Sequence, residues 1–136
     1  MRLWHKDLIP VLPRQQLLSQ WRECCCIARN IAVNKTPNHL LVNKVLEYST
    51  AHFYEYAVLI YKEMISRGYK CDFDRFTMWW GSVHFERLKY EDIFYGWHNR
   101  RYLQQCYYNM QEKFDCGGIT DEEFDKIELT CWKLKH

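Results

Sequence analysis

The sequence predicts an all-α fold, a compact single domain over residues 1–136 with four or five helices and an N-terminal arm packed against them. Three observations predict it. Apolar residues recur at helical spacing through the long periodic segments. Proline, hydroxyl and glycine residues stand where helices start and stop. Hydrophobic residues make up 48% and aromatics 17% of the chain, which gives a packed core and excludes disorder. A chain of this length buries roughly two-thirds of its unfolded surface as one unit. No apolar run approaches the roughly 20 residues of a membrane span, and Asp7, Pro10, Pro13 and Arg14 interrupt any signal core, so no membrane partner and a cytoplasmic location are expected.

Residues 1–12 read as an extended arm tied down by Leu3 and Trp4. The first helix runs from Pro13, suited to a first helical position, to about Val33, before the loop chemistry of Asn34-Lys35-Thr36-Pro37-Asn38. Its buried stripe is Leu17, Trp21, Cys24, Ala28 and Ile31. Gln15, Ser19, Arg22, Cys26 and Arg29 gather on the opposite face, with Gln16, Glu23 and Asn30 on its flank. Residues 39–49 form either a short helix or a buried connector, and Ser49-Thr50 offers an N-cap. The clearest core helix spans Ala51 to Arg67, with Phe53, Ala57, Ile60, Met64 and Tyr54, Val58, Tyr61, Ile65 as a broad apolar face and Gly68 ending it. Residues 69–97 read as loops in which the nine aromatics of 73–97 alternate with Arg75, His84, Arg87 and Lys89. Those rings either dock into the core or form a surface on which bases stack. A helix follows from about Trp97 to Phe114, broken by Gly117-Gly118. Thr120-Asp121-Glu122-Glu123 then reads as a capping box opening a last helix to about Lys133.

Seven cysteines, with no signal peptide expected, read as reduced thiols. Cys24-Cys25-Cys26 on one helix diverge by about 100° each and cannot converge on an ion; no metal and no cofactor is expected. Charge is unevenly spread. Residues 1–44 hold seven Lys/Arg against Asp7 and Glu23, or +5, while the remainder holds twelve against fifteen acids, or −3. The basic end points to a polyanion partner.

Arg22 and Glu23 project away from the core, behind a short arm that brings the chain's own α-amine within range. An α-amine has an ordinary pKa of about 7.7–8.0, so a useful fraction is neutral near neutrality. Neighbouring Arg2 and Arg22 lower it further by disfavouring the ammonium. A neutral amine can form a Schiff base with a sugar C1′, and a carboxylate such as Glu23 can shuttle the protons of ring opening and β-elimination. Arg22, with Arg2, Arg14 or Arg29, would hold phosphates.

Gln15-x-Leu17-Leu18-x-x-Trp21-Arg22-Glu23 resembles the first-helix motif of the pyrimidine-dimer DNA glycosylases, the phage endonuclease V family. Val45-Leu46-Glu47-Tyr48, leading to Ser66-Arg67-Gly68-Tyr69, resembles that family's central helix, and the likeness spans about residues 1–72. The opening residues also resemble a bacterial branch placed near the family. The resemblance implies a DNA-repair glycosylase and abasic-site lyase (an endonuclease that nicks at the lesion) acting on pyrimidine dimers or related damage in double-stranded DNA. It implies attack by the N-terminal amine, here on Met1 because Arg2 is too large for methionine removal. It further implies Glu23 as the essential carboxylate, Arg22 and Gln15 as site contacts, base flipping and no metal. The catalytic candidates are therefore Met1, Arg22 and Glu23; the DNA-binding candidates are Arg2, Arg14, Gln15, Arg22 and Arg29. A monomer is the favoured state. The alternatives are a non-catalytic nucleic-acid-binding module of the same fold, or a helical protein-interaction domain using the aromatics of 73–97.

Overall fold

The computed structural model describes residues 2–36, 42–84 and 86–135, with side chains through Trp132. Among them are five α-helices and no strand: α1 (Arg14–Asn34), α2 (Thr50–Ser66), α3 (Asp74–Trp80), α4 (Arg100–Asp115) and α5 (Asp121–Lys135). Short 3-10 turns occupy Lys6–Val11, Asn43–Glu47 and Tyr90–Asp92. α1 packs on α2 and α3, while α5 packs on α4 and on the turn at Lys6–Val11, so the arm is clasped between the two halves.

α1 follows the pattern of its residues. Leu17, Trp21, Cys24 and Ala28 are buried, Ile31 is half-buried, and Gln15, Arg22, Cys26 and Arg29 are exposed. Gln20 and Ile27 join the buried face. Pro13 is the N-cap, one position earlier than its sequence suggests, with ψ at 154°. A proline there has no side-chain acceptor to offer the first turn, so α1 opens without a cap of its own.

In α2 the row Phe53, Ala57, Ile60 and Met64 is buried together with His52 and Tyr56. The second expected row is not equally deep, since Tyr54, Val58 and Tyr61 are half-buried and Ile65 is exposed. Gly68 (φ +84°) ends the helix. Its N–H donates to the Ile65 carbonyl at 2.9 Å and the Tyr69 N–H to Met64 at 3.0 Å, a left-handed closure that favours glycine. The Arg67 charge does not serve the end of its own helix. Its guanidinium pairs with Glu63 at 2.7 Å and donates to the carbonyls of Leu12 (2.8 Å) and Pro10 (3.2 Å), fastening the arm to α2. At the other end, Ser49 spends its hydroxyl on Glu86 and makes no side-chain bond to the first turn of α2.

Three expectations are corrected. The arm is not extended throughout: Lys6–Val11 coils into a 3-10 turn, because coiling lets Leu8, Ile9 and then Leu12 all reach the core. Residues 69–97 are not loops alone, since Phe73, Phe76 and Trp80 at helical spacing put α3 there, with the Asp72 carboxylate accepting from the Asp74 N–H at 3.0 Å. α4 begins at Arg100 rather than Trp97, because Asn99 Oδ1 accepts from the Tyr102 N–H at 2.9 Å and sets the start. The capping box forms as expected, with Thr120 Oγ1 accepting from the Glu123 N–H and Glu123 Oε1 from the Thr120 N–H. The bond from the Thr120 N–H, with smaller contributions from the Thr120 hydroxyl, the Arg14 N–H and the Arg67 charge, holds the Glu123 carboxyl below its ordinary pKa. Most of the aromatics of 73–97 are core: Phe76, Phe94 and Trp97 are buried, Phe73 and Trp80 half-buried, whereas Trp79, Tyr90 and Tyr95 stay exposed. Phe85 lies outside the described residues.

Candidate active site

The site is built around how the arm is held. Residues 2–5 run without regular structure into the turn that starts at Lys6, and buried side chains from three helices satisfy several of their backbone groups. The Tyr102 hydroxyl donates to the Leu3 carbonyl at 2.6 Å, and the Tyr56 hydroxyl to the Trp4 carbonyl at 2.6 Å. The Lys6 N–H donates to His98 Nδ1 at 3.0 Å. The Lys6 ammonium is turned inward, donating to the carbonyls of Tyr90, Glu91 and Ile93, and burial lowers its pKa.

Gln20, fully buried on α1, is the centre of this arrangement. Its Oε1 accepts from the Trp4 N–H at 2.7 Å and faces the Tyr56 hydroxyl at 3.0 Å. Its Nε2 donates to the Arg2 carbonyl at 3.0 Å and to Glu23 Oε2 at 3.1 Å. One amide group thus ties the second residue of the chain to the Glu23 carboxylate. Those two oxygens are no farther apart than the two bonds laid end to end. Glu23 is half-buried.

The remaining candidates divide by position. Arg22 is exposed beside Glu23, its guanidinium 3.3 Å from the Ser19 hydroxyl. Arg2 is half-buried, its guanidinium over the Trp4 and Tyr102 rings at 5.6 and 5.9 Å and 3.9 Å from Cys106 Sγ. Arg14, over the Tyr69 ring at 5.7 Å, and exposed Gln15 stand toward the start of α1. At a rise of about 1.5 Å per residue they are roughly 12–14 Å from Glu23 along the axis. Arg29 is displaced the other way by roughly 9 Å, its guanidinium over the Trp79 ring at 5.8 Å. Gln15, Arg22 and Arg29, each seven residues apart, therefore form one exposed stripe, with only Arg22 beside Glu23. Met1 lies outside the described residues.

A cavity of about 620 Å³ between α4 and α5 is lined by none of these residues. Among the described residues no group of His, Cys, Asp and Glu could hold a metal ion, and no helix is long and apolar enough to cross a membrane. Cys24, Cys25 and Cys26 are buried, half-buried and exposed in turn, as divergence along a helix requires. Burial raises the Cys24 thiol well above its ordinary pKa and Cys25 to about 11, so neither supplies a thiolate near neutrality.

Sequence reasoning passed over Gln20, Tyr56, Tyr102 and His98. For Gln20 a signal was present: on the helical wheel it falls between Ile27 and Ile31, inside the apolar stripe. A polar residue there must find buried partners. His98 has a consequence for pH dependence. Its Nδ1 accepts from Lys6, so the proton sits on buried Nε2, and burial holds its pKa well below 6.5. Burial also lowers the stacked His5. The unfolded chain binds these protons first, so stability should fall as pH drops below about 6.5, by up to about 1.4 kcal/mol per pH unit per histidine. Urea unfolding at pH 7.5 and 5.5 measures this, and His98→Gln should flatten the slope.

With the geometry in place, the comparisons with known proteins fall on the same part of the chain. The family model described as pyrimidine dimer DNA glycosylase matches residues 1–77, which carry the arm, α1, α2 and the start of α3. No match came from curated proteins or from solved structures. Residues 78–136 lie outside the family match. More than half of the chain, including Gln20, Arg22 and Glu23, is covered, and the protein belongs to the pyrimidine dimer DNA glycosylase family.

Proposed function

We propose that the protein is a DNA-repair glycosylase and abasic-site lyase in which the α-amine of Met1 attacks C1′ of a damaged nucleotide and Glu23 moves the protons. The observation that carries this reading is the pair of bonds from Gln20 Nε2 to the Arg2 carbonyl and to Glu23. The amine-bearing residue is one peptide bond from Arg2, a step of about 3.8 Å between α-carbons, so the amine and the carboxylate share one anchor. At an abasic site, the amine adds to the C1′ aldehyde and the adduct loses water to give the imine. Glu23 then takes a C2′ proton, the C3′–O bond breaks, and the 3′ phosphate leaves with the electron pair. On an intact nucleotide the same attack displaces the base, which departs with a proton. Arg22 holds a phosphate next to the reacting sugar, and Arg29 and Gln15 extend the contact along α1.

The family supports a DNA glycosylase-like role in general. The lyase chemistry is tested by borohydride trapping on DNA containing an abasic site, with the N-terminal amine free and then blocked. A covalent adduct at Met1 that disappears on blocking is expected. DNA binding without an adduct would replace the reading with a non-catalytic binding module. Arg22→Ala should weaken binding at every sequence and reduce the slope of log affinity against log salt by about one phosphate contact. An unchanged slope would assign Arg22 to solvent.

A further inference from the structure

We propose that the cleft at the C-terminal end of α1 is a second nucleotide site, which stacks an unpaired base of the DNA substrate on Trp79. The proposal rests on the reading of DNA as the substrate. Between the end of α1, the turn at Asn43–Glu47 and α3 lies a cleft of about 470 Å³, within the range of roughly 300–1,000 Å³ usual for small-ligand sites. Its walls are Trp79, Trp80, Tyr48, Val45 and Leu46, with Lys35 at its edge. Among the described residues no carboxylate lines it.

The two tryptophans differ in what they do. Trp80 is half-buried, packs edge-on against Phe53 at 5.0 Å and donates its indole N–H to the Thr50 carbonyl at 2.9 Å. It is a wall. Trp79 is 38% exposed, beside Met78 at 69% and across from Leu46 at 49%. Its ring carries the Arg29 guanidinium at 5.8 Å, although Arg29 is not among the residues lining the cleft. An aromatic ring with a cation over it and open apolar space beside it matches how single-stranded nucleic acid is bound: bases stack on the ring and the cations follow the phosphates.

Position adds a second argument. Arg29 is on the same face of α1 as Arg22, one stripe running from Glu23 to the cleft. The axial separation of roughly 9 Å corresponds to about three nucleotides at 3.4 Å each. The base in the cleft is then about three nucleotides from the reacting sugar, on the same strand. Inside a paired duplex it would be stacked and hydrogen-bonded, so the site selects lesions next to unpaired DNA.

The test uses the full chain and three duplexes carrying a tetrahydrofuran abasic analogue: one fully paired, and two with a short unpaired stretch starting about three nucleotides from it, on the 5′ side or on the 3′ side. Fluorescence anisotropy at fixed salt gives the affinities. The unpaired stretch on one of the two sides should tighten binding about tenfold, the scale of one stacked base. Trp79→Ala should remove that gain, so that paired and partly unpaired DNAs bind equally, and Trp79→Phe should keep most of it. Equal wild-type affinities for all three DNAs, or a gain that survives Trp79→Ala, would overturn the cleft. Borohydride trapping on a true abasic site reads the lyase proposal separately: an adduct without the anisotropy gain removes the cleft alone. The gain without an adduct keeps the cleft and removes the lyase.

Discussion

Glu23→Gln is expected to lower strand scission at an abasic site by about 10²–10⁴-fold, the range that general acid–base groups contribute, with affinity for the same DNA unchanged. The substitution is close to isosteric. A glutamine carbonyl at this position still accepts from Gln20 Nε2, the bond that Glu23 Oε2 makes at 3.1 Å, so the arm and the first helix keep their junction. What is lost is the ability to take a proton from C2′. A gel assay of nicking over pH 5–9, with binding measured in parallel, separates the two effects. Nicking at the wild-type rate would remove Glu23 from the chemistry. A matching fall in affinity would mean that the carboxylate serves the fold or the DNA contact instead.

Gln20→Ala should have the largest effect on stability. It removes the partners of the Trp4 N–H and the Arg2 carbonyl, and those of Glu23 and the Tyr56 hydroxyl on the Gln20 side, in a position with no solvent access. Leaving buried backbone groups unpaired costs about 1–3 kcal/mol each. The sum should be about 3–5 kcal/mol, a fall in Tm of roughly 10–15 °C for a domain of this size. Scission should fall with it even far below the melting point, because the Gln20 link between the Arg2 carbonyl and Glu23 is then lost. Tyr56→Phe supplies the control. It removes the 2.6 Å bond to the Trp4 carbonyl but leaves both Gln20 Nε2 bonds in place. It should cost stability and keep scission at low temperature. Gln20→Ala melting within a few degrees of wild type would mean that the arm is held by Leu3, Trp4 and Leu8 packing alone.

Both expectations depend on one residue, and the sequence did not single it out. What the sequence determined by itself was local. Leu17, Trp21, Cys24 and Ala28 at helical spacing specify α1 and its buried face, and the same arithmetic puts Arg22 and Glu23 off that face. Thr120 and Glu123 specify the start of α5 within four residues, and Gly68 the end of α2. These are interactions of near neighbours, so spacing carries them. The family itself was legible from residues of the first two helices, the part that the family match covers.

Tertiary structure decided the rest. Trp4 meets Gln20 and Tyr56 across 16 and 52 positions of the chain, and Leu3 meets Tyr102 across 99. Lys6 only adds to the basic end of the chain in sequence, yet in the fold it turns inward because three carbonyls around Tyr90–Ile93 receive its ammonium. The pairing of Arg29 with Trp79 is of the same kind, since α3 must first dock on α1. A buried amide can show in the helical period, as Gln20 does, but its partners cannot. Its place is fixed by partners that only the folded chain brings within hydrogen-bonding distance, and a site assembled from an arm, a helix and a distant hydroxyl is settled at that level.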